Sequence, residues 1–364
     1  MANSLPDAVY GCLIGGAIGD ALGAIVEGWS HHRIREEFGR VDTFQAYDNP
    51  YSKGNPGSVT DDTIMRQYVC QAISETGGRI TADEYAEVLI EHLDTDRVWV
   101  TEEIAIRKLL AGISPRTVGR GSIPAAVATM AVAPVGIVNA ANPRQAYQDG
   151  YDVAGVTQEG VERESAATVA AGVASACDPA ATVETILSTM KEHSSETVYR
   201  AIDLSMGLLE ESATVDEFIH RFYEERLDWR WPAVDWDRER YHRGEVFSGS
   251  SLEIVPAAMA VLHYHADDVD AAIVEGASFG RDCDTIGSIV GTLSGTLHGA
   301  SAIRTDWIET VERANREFFE ELSPMQDLDF ETTAHHLVGA IENERAGAER
   351  RAEQLERFLD DDAW

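Results

Sequence analysis

Two short acidic runs, 60–63 (Thr-Asp-Asp-Thr) and 282–285 (Asp-Cys-Asp-Thr), carry the strongest chemical signal in this chain. They lie about 220 positions apart, and each stands at the start of a segment with helical periodicity. Carboxylate and hydroxyl oxygens are hard ligands that suit Mg²⁺ or Mn²⁺, and four carboxylates are enough to hold two ions. The two runs therefore predict a binuclear metal site, provided that the fold brings both regions together.

Each run also has a purely structural interpretation. Thr or Asp ahead of an apolar helix is the usual N-cap, and Asp in the first turn complements the helix dipole. Two further acids, Asp20 and Glu27, belong to or follow a Gly-rich opening segment whose other residues are largely apolar. Because two matching runs both lie in a Gly-flanked apolar context, we prefer the metal interpretation over capping alone.

Size and composition limit the possible classes of protein. The chain has 364 residues, 44% of them hydrophobic, enough for one large core or two ordinary domains. No stretch approaches the roughly 20 uncharged apolar residues of a membrane span, and residues 1–7 lack the basic region of a signal peptide. Four scattered cysteines without CxxC spacing argue against structural zinc and against disulfides. We therefore expect a protein of a reducing cytoplasm.

The charge balance is extreme, with 63 acidic against 29 basic residues and a net charge of −34. Only three of the basic residues are lysines: Lys53, Lys108 and Lys191. A dense acidic surface with almost no lysine indicates adaptation to a salt-rich cytoplasm, where ions screen the self-repulsion of the folded chain. An ordinary acidic protein is the alternative. Both interpretations disfavour a nucleic-acid partner held by a basic patch.

Helical periodicity dominates the chain, and strict two-residue alternation is nearly absent, so we predict an all-α fold without strands. The predicted helices include 7–27, 61–76, 81–93, 101–112, 283–303, 306–321 and 326–358. The Trp-rich stretch 228–250 breaks the pattern and is predicted to be a long irregular excursion.

Small residues are concentrated in the central helices, most densely at 166–176. Such residues let helices pack closely, which is typical of the buried middle of a multi-helix domain. No repeat and no Gly-, Ser- or Pro-rich linker divides the chain. We therefore predict one compact multi-helix domain at 1–325, followed by an acidic helical extension at 326–364.

The ordered set of motifs resembles the ADP-ribosylglycohydrolase family. The motifs are the Gly-rich segment that leads to Glu27, the run 60–63, and the run 280–285 ahead of a Gly-rich helix. The resemblance extends from about residue 8 to about residue 305. It implies a compact all-α enzyme with a central cleft that holds two ions, Mg²⁺ or Mn²⁺. It also implies cleavage of the glycosidic bond at C1″ of ADP-ribose, which is released from protein side chains or related conjugates.

The same resemblance implies roles for single residues. The implied metal ligands are Thr60, Asp61, Asp62, Asp282, Asp284 and Thr285. Glu27 aligns with the acidic residue that the family uses near the scissile bond, and Asp62 and Asp284 are also assigned to catalysis because they would supply charge to the ions directly. The ions would polarise a water for attack at C1″ or stabilise an oxocarbenium-like state, with Glu27 as general acid/base.

At the positions assigned to the rest of the substrate, the sequence departs from the family motifs. The residues assigned to substrate binding are Asp20, Gly121, Ser122, Gln158 and Arg281. Gly121 and Ser122 belong to a stretch that reads Gly-Arg-Gly where the family often has Gly-Asn-Gly, and Gln158 stands where the family has a phosphate-binding His. Arg281 replaces the usual Gly and could pair with a substrate phosphate or with the nearby acids. These departures indicate a divergent branch with a retained metal–ribose half.

Three functions follow from these observations. The first is a metal-dependent N- or O-glycosidase that acts on an ADP-ribosyl or related ribosyl compound, either an ADP-ribosylated protein or a small ribosyl substrate. The second is a hydrolase of a smaller ribosyl compound such as a nucleoside, suggested by the missing phosphate-binding His. The third is a non-catalytic ADP-ribose-binding protein, which the complete metal motifs disfavour. The pairs His31-His32 and His335-His336 have no acidic or cysteine partners at ligand spacing, so they are interpreted as surface or packing residues.

The charge pattern makes a prediction about salt. If the acidic surface is an adaptation, the melting temperature should be low in dilute buffer and should rise reversibly in molar KCl, because screening removes the self-repulsion. Thermal unfolding followed by circular dichroism across that range tests it. A melting temperature that stays constant from dilute buffer to several molar KCl would contradict the adaptation.

Overall fold

A computed structural model describes residues 4–50, 52–226 and 249–360 of the chain. Helices account for most of this part of the chain, and the prediction of a single all-α domain is confirmed. The strands within the described residues are β1 (Tyr47–Asp48) and β2 (Lys53–Gly54), which form a short antiparallel hairpin. The predicted excursion at 228–250 lies outside the described residues, apart from its last two positions.

The helices of the described ranges follow one another in chain order. They are α1 (Leu5–Gly23), α2 (His31–Glu37), α3 (Asp61–Thr76), α4 (Ala82–His92), α5 (Val100–Leu110), α6 (Val127–Ala131), α7 (Ala133–Val138), α8 (Pro143–Ala154), α9 (Gly160–Ala176), α10 (Val183–Glu192), α11 (Glu196–Glu210), α12 (Val215–Arg221), α13 (Ser251–Tyr264), α14 (Val269–Ala277), α15 (Cys283–His298), α16 (Thr305–Ala314), α17 (Arg316–Leu322) and α18 (Phe330–Asp360). A short π-helical turn, Phe222–Arg226, continues α12, and a 3₁₀ turn, Ala300–Ala302, follows α15. None of the helices in the described ranges is long and apolar enough to cross a membrane.

Helices α1 and α15 form the centre of the fold and touch through their backbones. A Cβ added at Gly19 would lie 2.1 Å from the carbonyl oxygen of Gly287, and one added at Gly15 would lie 2.4 Å from that of Gly291. The same closeness recurs at both ends of the contact, where Gly11 faces Gly295 and Gly23 faces Asp284. Only glycine permits this approach. As residue numbers rise along α1, the numbers of the contacting residues on α15 fall, so the two helices are antiparallel.

Around this pair, Ala-rich α9 provides a second buried helix. Its residues 166–176 are all buried, as the small-residue pattern predicted. It packs against α7, α8, α10 and α13. At Gly136 an added Cβ would lie 2.5 Å from the carbonyl oxygen of Ala170, so this contact too depends on a missing side chain.

Helix α3 carries the first acidic run and lies between α1, α4 and α6. Thr60 is its N-cap, and the Thr60 hydroxyl accepts a hydrogen bond from the Asp62 amide at 3.3 Å. The helix ends at Gly77, whose φ of +73° is the left-handed conformation common at helix C-termini. The capping that the sequence indicates is therefore present, and it fixes where the acidic residues begin.

Some predicted elements differ from the observed ones. The short helices α2, α6 and α7 were not among the predicted helices. The predicted helix at 306–321 divides into α16 and α17 at Asn315, whose amide donates to Gly57 O at 2.9 Å and to Val311 O at 2.8 Å. The first turns of α18 bury Phe330 and Leu337 in the main core, while the distal part of this helix is exposed.

The α1–α15 contact generates a prediction on stability. Gly19→Ala should lower the free energy of unfolding by at least about 3 kcal/mol, because backbone cannot move aside as a flexible side chain can. Gly207→Ala in α11 is the matched control. Nothing lies within 4 Å of a Cβ at that position, so the change should be neutral or stabilising by about 0.5–1 kcal/mol.

Chemical denaturation of both variants in the same salt measures the difference. Equal stabilities of the Gly19 and Gly207 variants would show that α1 and α15 can separate without cost.

Candidate active site

Both acidic runs line one cleft with a volume of about 420 Å³. The predicted site residues that line it are Glu27, Thr60, Asp61, Asp62, Asp282, Asp284 and Thr285. The first run occupies the N-terminus of α3, and the second occupies the N-terminus of α15. Two helix N-termini thus present the positive ends of their dipoles to the same group of carboxylates. The structure brings together every residue that was predicted to bind metal, together with Glu27.

One hydrogen bond joins the two runs directly. The Thr285 hydroxyl donates to Asp62 Oδ2 at 3.2 Å, so α15 and α3 meet at this point. Cys283, between the two acids of the second run, turns away from the cleft, and its thiol lies 3.6 Å from Gly23 O. Burial, and then the charge of Asp284, raises the pKa of the Cys283 thiol well above its usual value. This cysteine is therefore a poor candidate for a nucleophile.

Asp20 lies below the cleft and holds the start of α3 in place. It is completely buried and accepts hydrogen bonds from the backbone N–H of Thr60 at 3.1 Å and from the Thr60 hydroxyl at 2.9 Å. The Thr63 N–H and hydroxyl donate to its other oxygen at 3.1 and 2.5 Å. The sequence assigned Asp20 to substrate binding, but the structure uses both carboxylate oxygens to position α3.

The loop before α15 is fixed against the segment that follows α1. Gly28 N–H donates to Arg281 O at 2.8 Å, and Arg281 N–H donates to Trp29 O at 2.7 Å. Arg281 adopts a φ of +58°, which is uncommon for a residue with a side chain. This pairing places Glu27 next to the second acidic run.

The Arg281 side chain does not line the cleft. It is 3% exposed, and its Nε lies 3.2 Å from a carboxylate oxygen of buried Glu253. The predicted contact with a substrate phosphate is therefore not what the structure shows. Of the two alternatives that the sequence left open, pairing with an acid is the observed one, although Glu253 is not one of the predicted ligands.

Gly121, Ser122 and Gln158 also lie outside the cleft lining. The Gln158 amide donates to Ile123 O at 3.2 Å, and Gly121 N–H donates to a carboxylate oxygen of Glu159 at 2.7 Å. These bonds hold the segment that leads into the cleft wall at 125–127. Gly121 and Gln158, both predicted to contact substrate, thus help to hold the segment that precedes this wall.

Burial and mutual repulsion shift the titration of the carboxylates. Burial raises the pKa of Asp62, Asp282 and Asp284 well above the usual value, and the nearest carboxylates add to the shift. Burial, followed by the charge of Asp20, raises the pKa of Asp61 to about 6. The Glu27 carboxyl, 7% exposed, has its pKa raised mainly by burial and then by the charges of Asp284 and Asp61. Positive charge near such a cluster would stabilise the ionised carboxylates.

Arg66 supplies part of that charge from behind the cleft. It is 1% exposed, its Nε donates to Met130 O at 3.3 Å, and a second guanidinium nitrogen donates to Ser288 Oγ. Its charge lowers the pKa of Asp62, though by less than burial raises it. Sequence reasoning missed Arg66. The available signal was an arginine four residues after Asp62, on a helix whose other residues there are largely apolar.

Two walls of the cleft were also missed. The β1–β2 hairpin contributes Tyr47 and Ser52, and the Ser52 hydroxyl donates to Glu27 Oε2 at 3.3 Å. The loop between α4 and α5 contributes Arg97 and Trp99. The sequence signal at Trp99 was a large aromatic residue in a loop between two predicted helices, while the hairpin was too short for any periodicity to mark it.

Glu102, at the start of α5, is a further buried acid near the site. It is 1% exposed, and neither carboxylate oxygen has a hydrogen-bond partner among the described residues. Burial, and then the charge of Asp61, raises its pKa well above the usual value. Both effects favour the neutral form of the Glu102 carboxyl.

Comparison with known proteins identifies the family of the chain. The profile of the ADP-ribosylglycohydrolase family matches residues 1–345. An uncharacterised protein of Archaeoglobus fulgidus is 31% identical over 316 residues, which are 86% of this chain and 93% of the relative. The uncharacterised protein YegU of Escherichia coli K12 is 23% identical over 309 residues, or 81% of this chain and 89% of that protein.

A solved structure supports the fold independently of sequence. A chain described as an ADP-ribosylglycohydrolase-related protein complex superimposes with a TM-score of 0.67 at 19% identity, covering 93% of this chain and 99% of that one. This likeness concerns the fold alone. Because the family profile spans nearly the whole chain, the protein belongs to the ADP-ribosylglycohydrolase family, whose members are glycohydrolase-like enzymes.

Proposed function

We propose that the protein is a metal-dependent hydrolase that cleaves the glycosidic bond of an ADP-ribosyl or related ribosyl compound. The observation that carries this proposal is the single cleft in which Glu27 and both acidic runs meet. The family to which the chain belongs supports a glycosidase. The identity of the ions, the linkage atom and the substrate are part of the proposal.

The donor atoms present suit Mg²⁺ or Mn²⁺. Asp62 Oδ1 and Asp284 Oδ1 are buried and have no hydrogen-bond partner within the described part of the chain. Carboxylate and hydroxyl oxygens are the ligands that these ions prefer. The residues that would hold two ions are Asp61, Asp62, Asp282 and Asp284, with the hydroxyls of Thr60 and Thr285. When bound, such ions neutralise negative charge that develops on substrate and water oxygens.

Glu27 is the residue best suited to move a proton. It lines the cleft, and its one hydrogen bond among the described residues is the long one from Ser52. Burial raises the pKa of Glu27, which favours the protonated form that can donate a proton to a leaving group. After that donation the same carboxylate can accept a proton from the attacking water, as in other glycosidases that use a carboxyl pair.

The chemistry of the walls bears on the choice of substrate. Among the described residues that line the cleft, Lys53 and Arg97 are the cations. Arg97 already pairs with Glu321, with 2.8 Å between its Nη1 and the carboxylate. So few cations above an acidic floor suit a substrate with little phosphate charge. The second candidate function is therefore hydrolysis of a small ribosyl compound that carries no diphosphate. The Trp99 side chain offers a surface on which the base of such a compound could stack.

A hydrolysis panel tests the proposal. ADP-ribosylated protein, free ADP-ribose conjugates and nucleosides are incubated with the protein in high salt with Mg²⁺ or Mn²⁺, and the release of ADP-ribose or ribose is measured. Turnover of any of them supports a glycosidase. Tight ADP-ribose binding without hydrolysis of any member would instead support the non-catalytic alternative.

The first mutational prediction separates the proton donor from the metal ligands. Glu27→Gln should cut turnover by about 10²–10⁴, the usual contribution of a positioned acid/base group, and should leave Mn²⁺ binding nearly unchanged. Asp62→Ala should abolish both, because it removes a charged ligand. The exposed Glu91→Gln is the control and should match the wild type.

Turnover at saturating Mn²⁺ and calorimetric Mn²⁺ titration provide the two readings. Full activity of the Glu27→Gln variant would assign proton transfer to another group.

A second prediction concerns pH in the absence of metal. Because the pKa of Asp61 is raised from 3.8 to about 6 in the folded state, the stability linked to this group is complete below about 4 and is lost as pH rises through about 6. In EDTA at pH 7.5, Asp61→Asn should therefore melt higher than the wild type, by roughly 1 °C per kcal/mol of repulsion removed. The difference should vanish near pH 4.

Saturating Mg²⁺ should reverse the ranking, because asparagine cannot supply a ligand charge. Scanning fluorimetry of both proteins at matched salt provides the measurement. The same ranking in EDTA and in Mg²⁺ would argue against Asp61 as a ligand.

A further inference from the structure

Three histidines from two separate helices converge beside the candidate active site. His31 and His32 begin α2, and His220 lies near the end of α12. One ring nitrogen of each residue lies within 4.8 Å of the corresponding atoms of the other two. The sequence displays only the adjacent pair, because His220 follows almost 190 positions later. The fold thus adds a third histidine to the pair that the sequence shows.

We propose that His31, His32 and His220 form a second metal site, selective for a zinc-class transition ion. Neutral imidazole suits Zn²⁺ and its transition-metal neighbours, whereas the carboxylate cleft suits Mg²⁺ or Mn²⁺. Zinc–nitrogen bonds of about 2.0–2.1 Å place tetrahedral ligand atoms roughly 3.3 Å apart. From the observed separations, each nitrogen would move inward by less than about 1 Å, which small side-chain rotations allow.

The surroundings hold His31 in position for this role. Its ring is buried and stacks on Tyr223, with the ring centres 5.6 Å apart and the planes 13° from parallel. The Tyr223 hydroxyl donates to Gly280 O at 3.0 Å, which fixes Tyr223 in turn. The ring of His32 lies 3.8 Å from that of His31, and His220 is exposed at the surface. An ion can therefore enter from the solvent side and meet one ligand that is already ordered.

The site would connect elements that position the catalytic loop. A Cβ at Gly280 would lie 2.7 Å from His31 N, so the start of α2 packs directly on this glycine, two residues before Asp282. The pairing of Arg281 with Trp29 lies in the same contact. An ion bound by the histidines would join α2 and α12 around the loop and would stabilise it. With three protein ligands, the fourth position is left to water.

The test is a Zn²⁺ titration by calorimetry in excess Mg²⁺, with the full chain in stabilising salt. The wild type should bind one Zn²⁺ outside the cleft, and His220→Ala should weaken that binding by at least about 100-fold. The matched control removes His335 and His336 together, an exposed adjacent pair on α18, and should leave the affinity unchanged. His32→Ala repeats the test on the other helix, and circular dichroism checks that each variant is folded.

A cleft variant, Asp62→Asn with Asp284→Asn, separates the two metal sites. It should retain the zinc affinity, so the result tests the histidine site separately from the proposed hydrolase function. Co²⁺ bound to the wild type should show the intense visible absorption of a tetrahedral ion, and His220→Ala should lose it. Equal Zn²⁺ affinity in the wild type and His220→Ala, or loss of zinc binding in the cleft variant, would overturn the proposal.

Discussion

The backbone contact between α1 and α15 is the constraint on which the rest of the structure depends. Because glycine faces glycine at Gly19 and Gly287, the two helices approach more closely than side chains would allow. Their antiparallel arrangement places the end of α1 at the start of α15. Asp20 and Glu27 therefore come to lie beside Asp284. The acidic cluster is a consequence of helix packing and needs no long loop to assemble it.

The cluster is stabilised by fixed charge and by polar groups arranged around it. Two helix N-termini and the buried guanidinium of Arg66 face the acids. Hydroxyl and backbone N–H groups donate hydrogen bonds to the Asp20 carboxylate. These groups do not fully offset the cost of burying the carboxylates, since burial still raises the pKa of Asp62 and of Glu27. Protein sites that keep like charges close together store electrostatic energy that a bound cation can release. The cleft has this character before any substrate enters.

The sequence could predict features that depend on neighbouring residues in the chain, but not features that depend on tertiary contacts. The acids of the two runs were predictable because Thr60 and Asp282 stand at helix starts, where local sequence controls geometry. Gln158 was assigned to the substrate site from its position in the family motifs, and Arg281 was left open between a phosphate and an acid, but in the folded chain they contact Ile123 and Glu253. Such a choice depends on tertiary neighbours. The histidine convergence was unpredictable for the same reason, since His220 joins the pair only in the folded chain.

The distance along the chain between α1 and α15 has a consequence for biosynthesis. Residues near position 19 must wait for those near position 287 before they can pack. A ribosome-bound chain therefore displays an apolar first helix long before its partner emerges, and the closure of so large a loop is slow. We expect this helix to need protection by a chaperone or by transient partners during synthesis. A chain that stops before α15 would lack the core as well as the second half of the cleft, so partial products would be cleared instead of acting.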